Sequence, residues 1–106
     1  MIKAGIVTLI TEEAHGVGTD PEETRRKVFC TVKSIGQAEV YQAMSLGLNP
    51  ALKLILSQDF EYRGESLCEY KGKRYRIIRT YVTEADGIEL TLQPDAGGTG
   101  GAADAG

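Results

Sequence analysis

The sequence predicts a mainly β protein: a small antiparallel β-barrel of about six strands with one short helix and a disordered, Gly-rich C-terminal tail. Three observations carry this reading. Apolar residues recur with a period of two through most of the chain, the pattern of strands that bury one face. Two glycine-containing hairpin signals, Tyr70-Lys71-Gly72-Lys73 and Asp86-Gly87, join neighbouring strands. One segment alone changes to helical spacing and ends in a glycine stop. Six short strands of this kind build a barrel or a sandwich, and closure into a barrel hides edges that otherwise recruit other chains.

In the first strand Ile6, Thr8 and Ile10 alternate with Val7 and Leu9, and the polar loop from Glu12 to Glu22, with Gly16, Gly18 and Asp20-Pro21, ends it. The second strand runs from Glu23 to Lys33. It sets Arg26, Val28, Cys30 and Val32 on one face, with Val28, Cys30 and Val32 as its inner set. Ser34-Ile35-Gly36-Gln37 then fits a capping box, and Ala38, Tyr41 and Met44 or Ser45 recur at helical spacing, predicting a helix from Gln37 to Leu46. Gly47, Leu48 and Pro50 form its stop signal.

Leu52, Leu54 and Leu56 mark the third strand, and Leu67 to Tyr70 the fourth. Arg74 to Val82 is the fifth, and Ile88, Leu90 and Leu92 the sixth. The fifth strand is mixed on both faces, with Tyr75, Ile77, Arg79 and Tyr81 on one and Arg74, Arg76, Ile78 and Val82 on the other. A bulge or an outer-face contact would explain that. Residues 94–106, PDAGGTGGAADAG, contain nothing that can build a core, so the folded domain is expected to be residues 1–93 and the remainder a flexible tail.

With 106 residues the chain has apolar mass for one core. No apolar run approaches the roughly 20 residues of a membrane span, and no membrane partner or secretory leader is expected. Twelve Lys and Arg against fifteen Asp and Glu give a formal charge of -3, far from the basic balance of dedicated nucleic-acid binders. Cys30 and Cys68 sit in apolar patterns and read as buried reduced thiols.

No catalytic, cofactor-binding or metal-ligating set emerges. His15, the single histidine, lies in a polar loop without Cys or a second His at ligand spacing. Gly16-Val17-Gly18 lacks the third glycine of a nucleotide fingerprint and leads into a strand rather than a helix. The run Lys71, Lys73, Arg74, Arg76 and Arg79, interleaved with Tyr70, Tyr75 and Tyr81, has the residue types that hold phosphates and stack on bases. The same residues are good strand formers and interface formers, with Glu61, Glu65, Glu69 and Glu89 available to neutralise them. A single-stranded nucleic-acid-binding barrel is therefore the alternative reading.

The motifs fall in a recognisable order along the chain. Ile6-Val7-Thr8-Leu9-Ile10 and Val28-Phe29-Cys30-Thr31-Val32-Lys33-Ser34-Ile35 come first, followed by Glu39-Val40-Tyr41-Gln42-Ala43 leading to Gly47-Leu48-Asn49-Pro50. Phe60-Glu61-Tyr62-Arg63-Gly64-Glu65, Glu69-Tyr70-Lys71-Gly72-Lys73-Arg74-Tyr75 and Arg79-Thr80-Tyr81 complete the set. This ordered set resembles the bacteriophage head-tail adaptor family, also called head-closure or head-completion proteins, and the resemblance covers nearly all of residues 1–93.

The resemblance implies a small β-barrel and a noncatalytic virion protein of a tailed phage or prophage, present in the bacterial host cytoplasm during assembly and at the virion head-tail junction afterwards. It implies a homo-oligomeric ring of six or twelve copies. That ring would close the portal exit after packaging, dock the tail, and contact the portal or adaptor protein and a tail or tail-completion protein, with the packaged DNA passing through it. Tail-completion proteins of the same junction are similar to it. The resemblance also implies a channel-facing segment from Ile35 to Pro50, with Gln37, Glu39, Tyr41, Gln42, Ser45 and Asn49 as candidates. Because ring subunits meet through two different patches, the fifth strand and the first loop supply the candidate interface residues Arg74, Arg76, Arg79, Tyr81, Glu12, Glu13 and Asp20.

Overall fold

The computed structural model describes residues 3–13 and 22–95. Six strands, β1 (Lys3–Glu13), β2 (Glu22–Lys33), β3 (Leu52–Leu56), β4 (Leu67–Tyr70), β5 (Lys73–Val82) and β6 (Ile88–Pro94), form a closed antiparallel barrel in the order β1-β2-β3-β6-β5-β4. One helix, α1 (Gln37–Met44), lies between β2 and β3, and a short 3-10 turn, Asp59–Glu61, between β3 and β4. His15, Gly16-Val17-Gly18, Asp20 and residues 96–106 lie outside the described residues.

The alternation in the sequence sets which side chains face inward. Val7, Leu9, Cys30, Leu54, Leu56, Cys68, Tyr70, Tyr75, Ile88, Leu90 and Leu92 form one buried cluster, with Val28, Val32, Leu52, Tyr62 and Ile77 packed against it. The expected inner set of β2 is thus in place. β6 continues through Pro94, opposite Tyr75, and the Asp95 N–H donates to the Arg74 carbonyl, so the folded body runs two residues past 93.

The turns follow their residues closely. Lys71 and Gly72 both take positive φ, 54° and 78°, the primed turn that matches the twist of paired strands. At the β5–β6 turn the left-handed residue is Asp86, at φ 65°, and Gly87 serves another purpose. A Cβ on Gly87 would stand 2.6 Å from the Leu56 carbonyl oxygen, so the missing side chain lets this turn close against the end of β3. The capping box expected at Ser34–Gln37 is absent: the helix begins at Gly36 with no side-chain cap, and a capping box forms instead between Gln58 and Glu61. The stop signal acts as read. Leu48 N–H donates to the Ala43 carbonyl and Gly47 N–H, at φ 81°, to that of Met44.

β5 contains the bulge that its mixed faces called for, between Ile77 and Arg79. Before it Ile77 opposes Leu92, whereas beyond it Thr80 opposes Leu90 and Val82 opposes Ile88. The extra residue therefore exchanges the faces. Arg79 and Tyr81 leave the side of Tyr75 and Ile77 and join Arg74 and Arg76 on the outside, a correction to strict alternation.

Candidate assembly surface

The outer face of β1, β4 and β5 shows what becomes of the Arg-rich strand. Ile10 and Leu67 point away from the core cluster, pair in register, and are nevertheless buried. Arg25 flanks Ile10 on β2 and Arg76 flanks Leu67 on β5. Ion pairs cross the row: Arg25 to Glu69 at 3.0 Å, Arg74 to Glu23, and Arg76 to Asp95 at 3.5 Å. The register thus sets an arginine beside each of the two apolar residues, with its head bonded to a carboxylate, a position from which an arginine stem shields apolar surface. Hydrogen bonds from Arg74 and Arg25 hold the exposed Glu23 carboxyl below its ordinary range, those from Arg74 weighing most. The carboxylates that neutralise the strand differ from the expectation. Glu69 pairs with Arg25, Glu65 with Arg26, and Glu89 with Lys33 and Lys53, while β5 draws on Glu12, Glu23 and Asp95. With Arg74 and Arg76 engaged inside the molecule, the phosphate-binding reading of this strand loses two of its cations.

Of the candidate interface residues, Glu12 stands 4.0 Å from Arg74, and Glu13 ends β1 opposite Glu22. Arg79 and Tyr81 lie apart from this lattice, beside α1. A buried ion pair also closes the barrel near the 3-10 turn. Arg26 donates to Glu65 Oε2 at 2.6 Å and to the Glu61 carbonyl at 2.8 Å, and the Arg63 N–H donates to Glu65 Oε1 at 2.8 Å. Burial presses the Glu65 carboxyl upward, but the Arg26 hydrogen bond and the backbone donors outweigh it and leave the group below its usual range.

The helix is attached differently. None of its residues is buried, and it is clasped to the barrel by charge. Lys53, on the outer face of β3, reaches Glu39 at 2.6 Å and Glu89 at 3.2 Å; Lys33 reaches Glu89 at 3.3 Å, and Arg79 lies 4.0 Å from Glu39. Burial presses the Lys53 ammonium down, yet its hydrogen bonds to Glu39 and Glu89 hold it above its ordinary value. A cleft of about 460 Å³ remains between helix and wall, lined by Glu39, Gln42, Lys53, Arg79, Tyr81 and Thr91 among others. A more apolar hollow of about 300 Å³ adjoins it, with Ala43, Leu46, Leu48, Pro50 and Ile78.

The candidate channel residues are brought together on α1 and the turn after it. Gln37 donates to the Tyr41 hydroxyl at 3.2 Å, Ser45 Oγ to the Gln42 carbonyl at 2.7 Å, and the Asn49 N–H to Gln93 Oε1 at 2.6 Å. Glu39 is the exception in orientation, since its carboxylate is turned to Lys53. The sequence reading passed over Met44 and Leu46 as surface residues, although they and Tyr41 are 57%, 77% and 63% exposed. The signal was present in the three-residue spacing of Tyr41 and Met44, which shows a shared helix face without showing that nothing covers it, while Leu46 lies in the turn after the helix.

No candidate metal cluster of three or more His, Cys, Asp or Glu occurs among the described residues, and no described helix is long and apolar enough to cross a membrane. No model of a known protein family matches the chain, and no curated protein sequence matches it.

Proposed function

We propose that the protein is a noncatalytic structural component of a tailed phage or prophage, adding as a ring at the head-tail junction to close the portal exit and receive the tail. The observation that carries this reading is α1. An excursion between the second and third barrel strands holds a helix away from the wall on charged contacts and turns Tyr41, Met44 and Leu46 outward, where a soluble monomer gains nothing from them. The ordered motifs that resemble head-tail adaptors support it from the sequence side. A ring needs two different surfaces on each subunit, and the barrel has apolar side chains exposed both on α1 and on β1–β2, at Ile6 and Phe29.

The test is electron microscopy of a lysate from the parent phage or induced prophage with this gene deleted. Unjoined tails beside heads that have lost their DNA are expected. Normal infectious particles would overturn the assignment.

A further inference from the structure

β2 is paired unequally on its two sides. Toward β1 it is bonded along its whole length, from Glu22 opposite Glu13 to Val32 opposite Lys3. Toward β3 it is paired only at Thr31, Val32 and Lys33. Continuing that register would set Phe29 opposite Ser57, but β3 ends at Leu56 and the chain turns toward β6, where the Asp59 N–H donates to the Asp86 carbonyl. Residues 23–30 are left with an edge on which every second residue directs its N–H and C=O outward, and among the described residues no backbone group meets them. A hollow of about 230 Å³ lined by Ala4, Phe29, Cys30, Thr31, Ile55 and Ser57 opens where the two strands part.

An open edge is usually blunted by charge. Here the blunting is largely spent. Arg25 is bonded to Glu23 and Glu69, and Arg26 turns to Glu65 and the Glu61 carbonyl. What the edge displays on its outer face is Lys27, and two residues on Phe29, 78% exposed beside the half-exposed Ile6. A second β2 is a poor occupant, because antiparallel self-pairing centred on Arg26 would bring Arg25 against Lys27.

We infer that this edge of β2 is a strand-addition site for a partner protein, taking an extended segment that carries an acidic and an apolar residue two positions apart, on one face. Its backbone pairs with residues 23–30, an acid faces Lys27, and an apolar side chain covers Phe29. The inference rests on the pairing of β2; it shares Phe29 with the assembly surface proposed above, and its test does not depend on that reading.

The probe is a fluorescein-labelled, end-capped heptapeptide, Thr-Thr-Val-Thr-Glu-Thr-Thr, which sets Val opposite Phe29 and Glu opposite Lys27 when it pairs antiparallel, titrated with the intact chain by fluorescence polarisation. Its Val and Lys counterpart and a version N-methylated at alternate residues are the controls. Binding of the Val–Glu peptide is expected to be at least about tenfold tighter than either control, equivalent to about 1.4 kcal/mol. The N-methylated peptide has the same side chains without the donors, so its loss reports the edge itself. Lys27→Glu should reverse the preference between the Glu and Lys peptides and Phe29→Ser should weaken both, with far-UV circular dichroism unchanged because both side chains are exposed. No saturable binding up to about 1 mM, equal binding of the N-methylated peptide, or concentration-dependent self-association abolished by Phe29→Ser would each overturn the inference.

Discussion

Arg26→Met probes how the end of the barrel is sealed. Methionine keeps most of the arginine stem and deletes the guanidinium, which lies 2.6 Å from Glu65 Oε2 and 2.8 Å from the Glu61 carbonyl. The Glu65 side chain is 3% exposed and that of Arg26 25%, so the variant leaves a buried carboxylate with backbone N–H donors alone, that of Arg63 among them. Removing one partner of a fully buried ion pair costs about 3–5 kcal/mol, and the partial exposure of Arg26 lets water return some of it, giving about 2–4 kcal/mol here. For a domain of this size that is a fall in Tm of about 10–25 °C.

Urea unfolding followed by circular dichroism should show a lowered midpoint with unchanged slope. The double variant Arg26→Met, Glu65→Leu, which leaves no lone charge, should recover much of the loss and so show strong coupling. The pH dependence gives a second signature. In the parent, the Glu65 carboxyl is depressed, so its contribution is complete above the unfolded value, near pH ~4.3, and is lost as pH falls through the lower folded value. In Arg26→Met, burial acts without the guanidinium and raises the group, so acidification relieves the variant while it weakens the parent. The gap between them must narrow below about pH 5. A gap that stays constant with pH, or a cost within about 0.5 kcal/mol, would refute the account of this pair.

Gly87→Ala should cost about 1–3 kcal/mol in the same unfolding assay, because the new methyl meets the Leu56 carbonyl, a backbone atom that cannot swing aside. The Cys68 thiol, wholly buried and pushed up to about 12, and that of Cys30, raised by burial as well, should resist a thiol reagent at neutral to mildly alkaline pH until the protein unfolds; rapid labelling of the folded chain would contradict the packing. Oligo(dT) should show no salt-sensitive mobility shift at low ionic strength, since Arg74 and Arg76 are bonded to carboxylates; a shift that weakens steeply with salt would restore the nucleic-acid reading.

The strands were legible because burial on one face imposes a period of two on residue choice, and each predicted strand overlaps an observed one. The helix stop was legible because Gly47 occupies a left-handed position that few other residues accept. What escaped was set by distant contacts. The capping box at Ser34–Gln37 matched in composition, yet the chain leaves β2 extended at Gly36, at ψ 150°, with no side-chain cap formed. The faces of β5 depended on one inserted residue, and alternation cannot show where a register slips until the partner strand is known. The neutralisation of the arginines was foreseen in kind and missed in partners, because long side chains reach diagonally across neighbouring strands: Arg74 on β5 meets Glu23 on β2 rather than Glu69 beside it.

This leaves the surface divided into two regimes. On the β1–β4–β5 side, charges that looked free in the sequence are spent on one another, and the apolar row of Ile10 and Leu67 is covered. On α1 and the turn after it the opposite holds: the charge of Glu39 is spent holding the helix to the wall, and Tyr41, Met44 and Leu46 are exposed. If that exposure serves assembly, the pair Met44→Ser, Leu46→Ser should leave the free chain within about 0.5 kcal/mol of the parent, as surface changes do, while virions carrying it fail to join heads to tails. If the same pair destabilises the free chain by about 2 kcal/mol or more, the two side chains are packed on their own barrel in solution, and α1 no longer argues for a partner. The measurement separates a helix held out for docking from one that closes the apolar hollow beneath it, two arrangements with the same sequence and opposite consequences for what the protein does.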